Sequence, residues 1–134
     1  EAMLIICDAR ELAASVENTW LIAMAEMESA TIHAARGDLV AAARGYTATL
    51  EMFVIAGPSK VIPLQWDNLG CITRFLLQVG ANGDAAALHR AAVAAGRRPP
   101  LDAAQVAELD GVDSVVLTGT EIVDYTRTAL RRFM

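Results

Sequence analysis

The sequence predicts an all-α fold, a right-handed superhelix of antiparallel helix pairs with six or seven helices and no substantial sheet. Three observations carry that expectation. Alanine fills 26 of the 134 positions while aromatics make up only 5%, so the apolar content is mostly small and aliphatic. Alanine has the highest helix propensity and lets helices approach closely. Displacing the chain by 46 residues sets Trp20 on Trp66, Ala35 on Ala81, Gly37 on Gly83, Asp38 on Asp84, Ala41 on Ala87, Arg44 on Arg90 and Ala48 on Ala94 without a gap. A period of that size belongs to arrays of helix pairs. Finally, apolar residues recur at i, i+3, i+4 and i+7, the spacing of one helix face.

The elements follow in order. Residues Ala2 to Ala14 read as the second helix of a preceding unit. Asn18 can cap a helix running from Thr19 to about Arg36, and Gly37 stands where a left-handed C-terminal cap falls. Asp38 starts a second helix whose stripe is Leu39, Ala42, Ala43, Tyr46, Leu50 and Phe53. Gly57-Pro58-Ser59 ends it, because proline cannot continue a helix. Pro63 suits the first turn of the next helix, with Trp66, Leu69, Ile72, Thr73, Leu76 and Gly80 on its inner face. Asn82-Gly83-Asp84 is expected to be the turn into a shorter, alanine-rich helix that directs Leu88, Ala92 and Ala95 inward and ends at Gly96.

After Arg97-Arg98-Pro99-Pro100 the repeat stops. Asp102 with Gln105 forms a capping box for a short helix to Leu109, and residues 110–117 are irregular or locally extended. Thr118 with Glu121 forms a second box, opening a last helix with Ile122, Tyr125, Ala129, Leu130 and Phe133 inward. A closing element without the repeat signature reads as an end cap. The organisation is thus one domain over 1–134, with repeat units at 17–56 and 63–96 and capping helices at 101–134. Because the chain opens Glu1-Ala2-Met3, it is expected to be part of a longer protein.

Charge and cysteine usage narrow the function. A formal charge of −5 opposes nucleic-acid contact, and the pairs Arg97-Arg98 and Arg131-Arg132 are too small for a phosphate footprint. Ten of the 11 basic residues are Arg, with Lys60 the exception, which points to a GC-rich bacterial genome. Cys7 and Cys71 are too few for a disulfide framework, so free, buried thiols in a cytoplasmic setting are expected. No stretch resembles a signal peptide or a membrane span.

No catalytic constellation assembles. His33 and His89 fall on different units, without the convergent ligands a metal needs. Ser59 lies in a proline turn with no nucleophile elbow around it. The cysteines lack a motif that would lower a thiol pKa, and Glu26 and Glu28 face different directions on one helix. Gly57-Pro58-Ser59-Lys60 has neither the spacing nor the preceding strand of a phosphate loop. Arg36-Gly37-Asp38 is a turn signal, and Asp110-Gly111-Val112-Asp113 is too short for a calcium loop. The chain is therefore expected not to be an enzyme and to carry no cofactor or metal.

Trp66-Asp67-Asn68-Leu69-Gly70 resembles the W-x-x-L-G opening of tetratricopeptide repeats, and Arg36-Gly37-Asp38-Leu39 with Ala41-Ala42 resembles that motif's turn and second helix. The long period is similar to the variant found in large bacterial ATPase regulators of the MalT and LuxR type. The segment from Ala86 to Leu109, and Leu117 to Tyr125, look like the closing part of that class. His33 and Thr73 depart from the motif, which more often has an aromatic there. The resemblance implies a helical array that senses an inducer or a partner protein, alongside separate modules that hydrolyse ATP and bind DNA.

By motif position, the groove residues would be Met24, Met27 and Thr31 in the first unit and Asp67, Cys71 and Arg74 in the second. The methionines would offer an adaptable apolar surface, and Arg74 could take a carboxylate or phosphate. Trp20 and Trp66 are expected to be packing anchors between helices. The expected role is a sensor or protein-interaction module of a bacterial transcriptional or signalling regulator, meeting a protein segment or a small inducer. The competing role is a structural spacer or self-association domain, as a homodimer. Neither involves direct nucleic-acid contact or a membrane.

Overall fold

The computed structural model describes residues 19–56, 61, 63–98 and 100–134. Among these are six α-helices and no strand: α1 (Thr19–Ala35), α2 (Leu39–Met52), α3 (Pro63–Gln78), α4 (Asn82–Ala94), α5 (Ala103–Leu109) and α6 (Ile122–Arg131), with a 3₁₀ turn at Phe53–Ala56. The chain is all-α in these residues, as the composition predicts. Cys7, Asn18, the Gly57-Pro58-Ser59 break, Lys60 and the expected helix of Ala2 to Ala14 lie outside them.

α1 and α2 form an antiparallel pair. Three residues separate them, and partners descend in register: Ala30 faces Gly45, Thr31 bonds Tyr46, and the Trp20 ring lies 5.8 Å from Phe53. The helices meet closely because Gly45 has no side chain. A Cβ there would stand 2.8 Å from the Ala30 Cβ, well inside van der Waals contact. The α2 stripe is buried as predicted through Ala42, Ala43, Tyr46, Leu50 and Phe53. Asp38 caps that helix, accepting from the Ala41 amide at 3.4 Å.

α3 and α4 repeat the arrangement, but the structural period is not the one found by sliding the sequence. Gly37 closes α1 at φ 79°, with the Asp38 amide donating to the His33 carbonyl at 2.9 Å and the Gly37 amide to Ala34 at 3.1 Å. The matching cap is Gly80 at φ 81°, with Ala81 donating to Leu76 at 2.8 Å and Gly80 to Leu77 at 3.2 Å. Gly80 follows Gly37 by 43 residues, so the structural repeat is shorter than the sequence displacement of 46. The expected turn at Asn82-Gly83-Asp84 is instead the first turn of α4. A glycine at positive φ is what lets the six-to-one bond close a helix, and Gly80 provides it before Gly83 is reached. Gly80 is therefore an exposed cap and not part of the α3 inner face, and Ala95 is likewise exposed.

The helices stack in two layers. α1 lies beside α3, while α6 packs against both α2 and α4, closing the second layer. One core runs through the molecule, from Ala30 and Tyr46 through Ile72, Phe75 and Leu76 to Ile122, Ala129 and Leu130. Phe75 sits at its centre, 5.6 Å from the Tyr46 ring and 5.6 Å from Phe133. Side-chain bonds to backbone carbonyls fasten the layers. Gln78 donates to Ala34 O at 2.8 Å, a second donor to a carbonyl that the Gly37 amide also reaches, and buried Gln65 donates to Leu50 O at 2.9 Å.

At the C-terminal end, Asp102 and Gln105 form both halves of the predicted capping box, at 2.8 and 2.9 Å. The second box is rearranged. Glu121 Oε1 accepts from the Thr118 amide at 3.0 Å and the Thr118 hydroxyl at 2.7 Å, and α6 starts only at Ile122. Residues 112–118 form no regular element, and Arg90 anchors them by donating to Val112 O at 2.7 Å and Ser114 Oγ at 2.6 Å.

Candidate functional site

α3 presents Asp67, Cys71, Arg74 and Gln78 at helical spacing along one side, and two hollows open against this stripe. The smaller, about 110 Å³, lies between α1 and α3. Thr31 and Ala34 line it from α1, Tyr46 from α2, and Cys71, Arg74 and Gln78 from α3. The larger, about 370 Å³, lies between α3, α4 and the 97–100 linker. Trp66, Asp67 and Cys71 line it from α3, Leu88 and Ala92 from α4, and Arg97, Arg98 and Pro100 from the linker. Cys71 borders both.

Each wall has a local cause. Thr31 turns its hydroxyl back to Met27 O at 3.0 Å, so the Tyr46 hydroxyl, 2.9 Å away, donates to Thr31 and is held at the wall of the hollow. The linker lies against α3 because position 70 is glycine: a Cβ there would stand 2.7 Å from Pro100 Cδ. A glycine inside a helix weakens it, and here its absent side chain makes room for the linker.

Burial sets the chemistry of the polar groups. It pushes the Cys71 thiol above its ordinary value, against the opposing hydrogen bond with Thr31 and the positive charge of Arg74. It pushes Tyr46 up to about 12 for the same reason. Both groups are therefore protonated and neutral at neutral pH, and the thiol is a poor nucleophile. Arg74, Arg97 and Arg98 are exposed and enter none of the ion pairs among the described residues.

Of the six residues expected in the groove, Thr31, Cys71 and Arg74 meet at the smaller hollow, and Asp67 joins Cys71 at the larger. Met24 is exposed on α1 but lines neither hollow, and Met27 is buried, packing inward one turn before Thr31. Trp20 is 47% exposed, with its ring 5.8 Å from that of Phe53. Trp66 is half-buried and forms part of the larger hollow's wall. Sequence reasoning missed Tyr46, Arg97, Arg98 and Pro100 as site residues. The available signal was Gly70, a helix-interior glycine whose presence calls for a packing reason.

His33 Nδ1 lies 3.6 Å from Asp38 across the first turn, and the His89 ring has its pKa lowered by burial and by Arg90. No group of three or more His, Cys, Asp or Glu that could hold a metal occurs among the described residues. No helix among them is long and apolar enough to cross a membrane. No protein-family model, curated protein or solved structure matches this chain.

Proposed function

We propose that this chain is a non-enzymatic, tetratricopeptide-like binding module, a cytoplasmic sensor or protein-interaction domain of a bacterial transcriptional or signalling regulator. On this reading the two helix pairs and α6 form a short right-handed superhelix, and the occupant sits against the polar stripe of α3. The observation that carries the reading is the pair of hollows sharing Cys71 and lined by three arginines that enter no ion pair among the described residues. Concave sites with mostly apolar walls and a few convergent polar groups are the usual form of a ligand site. Occupation would stiffen α3 against α1 and the linker, which is how binding would reach neighbouring domains.

Self-association is the second reading, because Val115 and Val116 are exposed on the irregular segment, Val116 at 92%. Thermal unfolding of the chain against a panel of metabolites, nucleotides and peptides, with light scattering on the same samples, separates the two. The sensor reading expects a saturable rise in Tm with a monomeric scattering mass. A stable dimer whose Tm no compound shifts would replace it with the self-association role.

A further inference from the structure

We infer that the larger hollow is a site for a small organic acid, a free monocarboxylate with an apolar body. The inference rests on the reading of the α3 groove as a binding surface and names the chemistry of its occupant. At about 370 Å³ the cavity stands near the lower end of the ~300–1,000 Å³ range of small-molecule sites. That size admits a ring or a short aliphatic chain and not a folded element. Its walls divide by chemistry. Trp66, Leu69, Leu88, Ala92 and Pro100 supply an apolar interior, and Arg97 and Arg98 stand on the linker side.

The charge count selects a monoanion. Arg97, Arg98 and Asp67 are the charged residues of its lining, two positive against one negative, leaving one positive charge for the ligand to neutralise. A phosphate dianion would overshoot that balance beside Asp67, in a chain that already carries a formal charge of −5. A guanidinium binds a carboxylate through two parallel N–H donors, and neither of these two enters an ion pair among the described residues. Arginines just past the end of α4 also complement its dipole, but that role needs neither of them at the cavity wall.

Isothermal titration of the chain with indole-3-acetate and octanoate, each paired with its neutral amide, tests the inference. The acids are expected to bind about tenfold or more tightly than the amides, the difference a charge-assisted bond makes. The double variant Arg97→Gln/Arg98→Gln, at two exposed positions, should lose that preference with an unchanged circular dichroism spectrum. Equal binding of acid and amide, an unaltered double variant, or no binding of either acid at about 1 mM would overturn the inference. So would Gly-Gly-Trp binding as tightly as indole-3-acetate, since the occupant would then be a chain terminus. If the acids fail while another compound raises Tm and shields Cys71 from alkylation, only the carboxylate assignment falls and the sensor reading stands.

Discussion

Tyr46 and Tyr125 are the chain's two tyrosines, and burial is the largest cause raising each from 10.0 to about 12. For Tyr125 the bond to the Asp84 carboxylate adds to the rise, because that partner favours the protonated phenol. A tyrosine is neutral below its pKa, so between these values the unfolded chain releases protons that the folded chain keeps. The stability these groups contribute is complete below pH 10 and is lost as pH climbs toward 12. Absorbance at 295 nm should accordingly show no tyrosinate at pH 10.5 while the chain is still folded by circular dichroism. A titration step near pH 10 in the folded chain would contradict the burial of both hydroxyls. The Thr31–Tyr46 bond was not legible in the sequence: the stripe on α2 places Tyr46 inward, but its partner depends on how α1 and α2 register.

At the scale of the element, the glycines of α2 and of the α3–α4 turn separate two opposing effects. Gly45 and Gly80 are both glycine-to-alanine sites, and helix propensity alone would predict a gain of about 1 kcal/mol at an interior position such as Gly45. There the new Cβ would meet Ala30 at 2.8 Å, and overpacking of about 1–3 kcal/mol outweighs the gain. Gly45→Ala should therefore be destabilising in urea unfolding, against its propensity. At Gly80 nothing lies within 4 Å of a Cβ, so the cost is that of φ 81° alone, about 1–2 kcal/mol. A stabilised Gly45→Ala would mean that α1 and α2 stand further apart than described. Elements governed by neighbouring residues were legible, as at the Asp102–Gln105 box and the Gly37 cap. The second turn was not, because Gly80 and Gly83 are both available and the choice belongs to the end of α3. Asp84, aligned by sequence with the capping Asp38, falls inside α4 and turns to Tyr125 and Arg132, while Ala81 takes the cap position.

At the scale of the molecule, α6 is held by polar bonds as well as by the core. Asp84 accepts from Tyr125 at 2.6 Å and from Arg132 at 2.6 Å, and Arg127 joins Glu51 of α2 at 2.6 Å and its own neighbour Asp124. Asp84→Ala should cost about 2 kcal/mol, most of it from the Tyr125 bond, since Arg132 is largely exposed. Hydrogen exchange should then quicken in α6 before α1 and α2. Uniform acceleration along the chain would show that the last helix does not open on its own. The all-α class was legible because composition and periodicity act along the whole chain. The larger hollow was not, because Arg97 and Arg98 become site residues only when the linker folds back over Gly70, a contact across more than twenty residues.

If the groove along α3 is the binding surface we propose, Cys71 reports on its occupation directly, because it borders both hollows. In a Cys7→Ser background, the rate of Cys71 alkylation by iodoacetamide is measured with and without any compound that raises the melting temperature. Its raised pKa makes the reaction slow, which leaves protection easy to resolve. A saturating compound is expected to slow alkylation about tenfold or more beyond the factor that its added stability accounts for. A compound that raises Tm saturably but slows Cys71 alkylation by no more than its added stability accounts for would place binding elsewhere and contradict the claim.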